Sequence, residues 1–103
     1  MYHVVALYHH PADEAEFVAH YEGTHAKLAR QMPGLASYVY GPCSSPDGSP
    51  PSHFFVAVQS WDSKEAAQAS LASQEGQAAT ADMPNVAAAG VDVAFFEAPG
   101  SVI

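Results

Sequence analysis

The chain has almost no positive charge. Lys27, Arg30 and Lys64 are its only basic residues apart from histidine, against eleven acids, for a formal net charge of −8. Nucleic-acid binding needs lysines and arginines to neutralise phosphates, and three scattered cations cannot supply that footprint. An anionic membrane surface would repel the chain for the same reason. There is one cysteine, Cys43, which excludes an internal disulfide and fits a reducing compartment. Nothing cationic adjoins it in the sequence to lower its pKa. The opening residues Met1-Tyr2-His3-Val4-Val5 lack the basic-then-apolar pattern of a secretory signal. No apolar run approaches the roughly 18 residues of a membrane span. The expected address is therefore cytoplasmic.

Motifs that would bring a cofactor are missing too. No Gly-x-Gly-x-x-Gly or Walker pattern is present, so no nucleotide cofactor is expected. Ser44-Ser45 sits in a Pro/Gly-rich stretch without a nucleophile elbow. Six histidines is a high count, but no His-x-x-x-His or Cys-x-x-Cys spacing accompanies them. His20 and His25 are five apart, about 140° around an α-helix, and should diverge. His9-His10 and His53 fall at strand ends, where only folding could gather them with His3. Neither a dedicated metal site nor haem ligation through a lone histidine is expected.

What is present is apolar. Hydrophobic residues make up 49% and charged residues only 14%, below the usual ~25%. A chain of 103 residues is expected to be one domain, residues 1–103, with a core that leaves a monomer only modestly stable. Tyr2 to Tyr8 predicts a strand closed by Pro11. Asp13 with Glu16 is a capping-box pattern opening a helix, along which Phe17, Tyr21, Thr24 and Leu28 form a stripe as far as Pro33-Gly34. Leu35 to Tyr40 is a second strand and Gly41 to Ser52 a loop. His53 to Trp61 is a third strand, Lys64 to Ala72 a second helix, and Ser73 to Asn85 a short helical turn stopping at Met83-Pro84. Gly90 to Glu97 is the fourth strand. The order is βαββαβ with an extra helical turn: an α+β, ferredoxin-like fold with a four-stranded antiparallel sheet.

A sheet with one wet side should alternate apolar and polar residues. Val4-Val5-Ala6-Leu7, Phe54-Phe55-Val56-Ala57-Val58 and Val93-Ala94-Phe95-Phe96 are apolar throughout. Helices cover one face only, so the other is expected to meet a second copy in a homodimer. Which face meets the helices is left open by residues apolar on both.

Read in order, several features resemble the EthD family, a branch of the dimeric α+β barrels. They are the opening strand ending in Tyr8; Phe17 and Tyr21 followed by His25 and Leu28; Met32-Pro33-Gly34-Leu35 with Tyr38 behind; Trp61-Asp62-Ser63 before Glu65-Ala66; and the run from Ser73 through Met83-Pro84-Asn85-Val86. One departure is Ala26-Lys27 after the helix histidine, where that family commonly has a proline. The resemblance implies the barrel-forming dimer and a pocket between helices and sheet. Related barrels isomerise muconolactones, cyclise polyketides, oxidise aromatic polyketides without a cofactor, or handle haem; EthD itself accompanies an oxygenase system in ether degradation.

His25 is the first candidate for catalysis. It follows Tyr21 by four residues, so both should point toward the sheet, and imidazole, with an unperturbed pKa of about 6.5, can shuttle protons near neutrality. The competing view is a histidine packed at the helix edge and bonded to a backbone carbonyl. Tyr21 would orient a carbonyl or hydroxyl. Tyr8, Phe17, Tyr38 and Trp61 are the candidate substrate-binding wall for a flat hydrophobic ligand, although each alone reads equally as a core aromatic. Asp82 and Asn85 are expected to cap the short helix rather than reach substrate. Two functions stay open: a cofactor-independent isomerase, cyclase or monooxygenase acting on a small hydrophobic or aromatic metabolite, and a non-catalytic ligand-binding accessory protein for a partner oxygenase system.

Overall fold

A computed structural model describes residues 1–103. Strand β1 (Tyr2–Tyr8) sits inside the sheet, paired antiparallel with β3 (Phe55–Trp61) on one side and β4 (Val91–Glu97) on the other. Strand β2 (Leu35–Pro42) pairs antiparallel with the far edge of β3, for an order β2-β3-β1-β4. This is the ferredoxin-like arrangement expected from the sequence.

Three helices pack on one face. Helix α1 is continuous but changes pitch: α-helical over Glu14–His20, π-helical over Tyr21–His25, and α-helical again over Ala26–Ala29. Asp13 caps it by accepting from the Glu16 N–H, as the capping pattern implied. Helix α2 (Lys64–Ala72) starts at Ser63, whose side chain accepts from Ala66 N–H. Helix α3 (Gln74–Val86) falls within one residue of the expected Ser73–Asn85 stretch, but it is a regular helix of 13 residues rather than a short turn, and it carries Pro84 inside it. Proline forfeits one helical hydrogen bond, yet Ala87 N–H still reaches Met83 O and closes the last turn. Ser73 joins the two helices, accepting from Gly76 N–H. Gly76 must be glycine, because a Cβ there would lie 2.2 Å from the Ser70 carbonyl oxygen. No helix is long and apolar enough to cross a membrane.

Strand register settles the faces. Tyr2, Val4, Ala6 and Tyr8 point toward the helices, opposite Trp61, Gln59, Ala57 and Phe55. One core cluster gathers Tyr8, Phe17, Tyr21, Ala26, Phe55, Ala57 and Val86; a second gathers Val4, Ala29, Met32, Trp61, Ala67 and Ala79. The other face carries Val39, Val58, Val5 and Ala94 in one cross-strand row, with Leu7, Val56 and Phe96 beside it. Nothing in the chain covers it: Val39 is 59% exposed and Phe96 47%. Only 18 of 103 residues are buried, a thin core that leaves much apolar surface unsatisfied.

Candidate functional site

The geometry of the site begins with the π-helical turn. Its hydrogen bonds span five residues instead of four, as Ala26 N–H to Tyr21 O shows. Residues five apart therefore share a face, and the expected divergence of His20 and His25 does not occur. Both imidazoles meet one carboxylate, Asp82 of α3. His20 Nε2 lies 3.0 Å from each Asp82 oxygen, and His25 Nδ1 lies 2.9 Å from Oδ2. Asn85 Nδ2 donates to Oδ1 at 2.9 Å.

Asp82 thus does not cap its helix, contrary to the sequence expectation. It lies in the ninth of thirteen positions of α3, 8% exposed, and ties α3 to α1. Burial by itself would raise its pKa, but hydrogen bonds from Asn85, His20 and His25 outweigh that and hold the carboxyl below its ordinary value. The backbone carbonyl that the competing view gave His25 as a partner is replaced by this side chain. A sequence signal for Asp82 did exist. Ala79, Asp82, Met83 and Val86 share one helical stripe, so an acid stands in an otherwise apolar row.

Beside this cluster is a cavity of about 170 Å³, between α1, α3 and the sheet. Of the candidate residues it brings together Tyr8, Tyr21, His25 and Tyr38, with Met32, Thr80 and Met83 completing the wall. Val93 and Phe95 of β4, about half exposed, also line it and mark where it meets the surface. Phe17 and Trp61 are not on this wall. Phe17 packs behind it, edge-on to Tyr8 and stacked on Tyr21. Trp61 is wholly buried in the second core cluster, its Nε1 without a hydrogen-bond partner.

The phenols form their own relay. Tyr21 and Tyr38 hydroxyls are 2.7 Å apart, and Tyr8 Oη donates toward Met83 Sδ at 3.8 Å. Burial pushes the Tyr8 phenol up to about 12. Burial, followed by the bond to Tyr38, drives Tyr21 far above the ordinary phenol range, and burial raises Tyr38 as well. These phenols stay neutral at physiological pH. They can donate to a carbonyl or hydroxyl but cannot serve as bases, so imidazole is the basic group the cavity offers.

The remaining histidines lie at and beside strand ends, as the sequence placed them. His3 bonds Ser60 Oγ at 2.6 Å and stacks on Phe96; His10 Nε2 donates to the Pro51 carbonyl. His9 and His53, however, converge on Asp92, away from the cavity.

Comparison with known proteins follows the same lines. A family model described as the EthD domain matches residues 9–90. The chain is 43% identical over 95 residues to an uncharacterised 11.0 kDa protein from the thcB–thcC intergenic region of Rhodococcus erythropolis, covering 92% of each. Among solved structures, an EthD family protein from Bacillus halodurans superposes with a TM-score of 0.86 at 29% identity, over 95% of this chain and 98% of that one. A dimeric ferredoxin-like protein of unknown function from Thermobifida fusca matches with TM-score 0.72 and 18% identity, over 94% and 90%. SnoaB, a cofactor-independent oxygenase from Streptomyces nogalater, matches with TM-score 0.64 and 19% identity, over 98% and 94%. At such low identity the last two likenesses show the fold alone.

Proposed function

The chain belongs to the EthD family, and on that footing we propose that it is a cofactor-independent enzyme that moves a proton on a small, one-ring hydrophobic compound held beside His25. One observation carries this reading: His25, 5% exposed and lining an apolar cavity, is bonded through Nδ1 to a buried carboxylate at 2.9 Å. An ionised carboxylate only accepts, so Nδ1 is the protonated nitrogen. The Nε2 lone pair is then left for a ligand. Carboxylate-held imidazoles of this kind act as general bases, with the carboxylate stabilising the imidazolium that forms.

His25 Nε2 would take a proton from a phenol O–H or from a C–H next to a carbonyl. Of the bonded pair Tyr21 and Tyr38, held neutral, one hydroxyl donates to the other, and the remaining O–H would donate to the oxygen on which negative charge develops. Returning the proton to a different carbon completes an isomerisation. Transfer of electrons from the resulting anion to dioxygen, as co-reactant, would begin an oxygenation. The volume suits a small substrate: a cavity of about 150 Å³ takes benzene, so about 170 Å³ admits one ring.

The uncovered face of the sheet supports a second element of the reading, that two copies pack through the row Val39, Val58, Val5 and Ala94. The related Thermobifida fusca fold, described as dimeric, supports the same choice.

The test is an assay of one-ring lactones, quinones and phenols with wild-type protein and His25→Gln. The expected result is turnover by the wild type, reduced about 10²–10⁴-fold in the variant, the usual contribution of a general base. Equal rates would remove His25 from the chemistry. Saturable binding with the compound recovered unchanged would instead favour the accessory, ligand-holding role.

A further inference from the structure

Outside the cavity, one cluster has the chemistry of a metal centre. His9 follows the last residue of β1, His53 lies just before β3, and Asp92 is the second residue of β4. Three distant stretches of chain bring Nε2, Nε2 and a carboxylate oxygen within 4.8 Å of one another. Both imidazoles address the same atom, Asp92 Oδ2, from 2.9 Å for His9 and 2.8 Å for His53. We propose that His9, His53 and Asp92 form a mononuclear binding site for a divalent first-row transition ion such as zinc(II).

The donor set is the first reason. Two imidazoles and one carboxylate suit zinc or iron(II), and sites with three protein ligands keep coordination positions open. Distances are the second. Ligand atoms held at ~2.0–2.2 Å from a tetrahedral zinc lie roughly 3.3–3.6 Å apart, so the carboxylate must withdraw by roughly half an ångström and the two imidazole nitrogens, within 4.8 Å of each other, must draw together by up to roughly an ångström. In the single chain Asp92 and His9 are solvent-exposed and can make that adjustment, although Asp92 stands across from Leu7 on the same sheet face that the second copy is proposed to cover.

The backbone is also shaped for the His9 ring. Gly90 has φ +113, and a Cβ there would lie 2.8 Å from His9 Nδ1. The His9 N–H donates to the Gly90 carbonyl at 3.0 Å, fixing the two together. His53 has an outer partner, Ser52 Oγ, 3.1 Å from Nδ1, which can accept the Nδ1 proton when Nε2 binds a metal. No cationic side chain competes for Asp92. Lys27 and Lys64 belong to helices on the opposite side of the sheet, Arg30 caps the end of α1, and the net charge of −8 favours cations. As simple surface ion pairs these contacts would be worth little.

The test is calorimetric titration of zinc(II) into untagged, chelator-treated protein, with cobalt(II) absorption as a second readout. The expected result is one ion per chain. His9→Gln, His53→Ala and Asp92→Ala should each weaken binding by at least the roughly 10–100-fold that even outer-shell losses cost, and should abolish the visible cobalt bands. Cys43→Ser should leave stoichiometry and affinity unchanged. Circular dichroism and His25→Gln as a parallel sample keep folding and the cavity separate from this site. Zinc affinity identical in wild type and in the His53→Ala/Asp92→Ala double variant would overturn the assignment, as would no binding at 100-fold excess over protein.

Discussion

At the scale of single residues, Asp82 joins function to stability. It is nearly buried and accepts from two imidazoles and an amide. Its folded-state pKa is held below the ordinary 3.8. The sign follows: a lowered carboxylate pKa contributes stability that is present above pH ~4 and is lost as pH falls through the folded value. Asp82→Asn should therefore cost about 1.5–3 kcal/mol near neutrality, the range for hydrogen bonds to a charged group. The gap from wild type should close in strong acid. Urea titrations between pH 3 and 7 at fixed protein concentration measure this, and a gap independent of pH would show that the charge of Asp82 is not what stabilises the pair of helices.

At the scale of elements, the π-helical turn Tyr21–His25 does what no α-helical wheel allows, since it turns His20 and His25 to one side. A π-turn amounts to one residue inserted into an α-helix. Deleting Gly23 should leave a regular α-helix with the two histidines four apart, still sharing a face. Stability should be unchanged or higher by up to about 1 kcal/mol, because glycine is costly inside helices. Inserting one alanine after Glu22 should instead rotate His25 away from Asp82 and lower the melting temperature markedly. Thermal melts of both variants decide it; equal effects would mean that the π-turn does not set the register. Legibility follows the same division. The strands, Asp13, Phe17, Tyr21 and the Met32-Pro33-Gly34 stop could be read from local pattern, because burial period and capping chemistry are local. The position of Asp82 was less plain. Pro84 argued for a short turn over Ser73–Asn85, whereas tertiary packing of Ala79, Met83 and Val86 keeps nearly the same residues a regular helix. The π-turn leaves no mark in hydrophobic period, and the His9, His53 and Asp92 grouping depends on strand register, which spacing does not reveal.

At the scale of the whole molecule, a thin core and an apolar open face both point to a second copy. Val58 lies mid-row between Val39 and Val5. Placing a carboxylate there with Val58→Glu would bury unpaired charge in the interface, a severe penalty. Sedimentation equilibrium at micromolar concentration should give twice the chain mass of 10.8 kDa for wild type and a single chain for the variant. A monomeric wild type would remove the dimer. The cavity and its imidazole are tested most directly in the intact protein by nitrogen-15 NMR of the histidine rings during titration with phenol. His25 should carry its proton on Nδ1, and its Nε2 resonance should shift and saturate with one phenol bound per chain. A proton on Nε2, or an Nε2 resonance unmoved while phenol saturates elsewhere, would contradict the assignment of His25 as the base that faces the substrate.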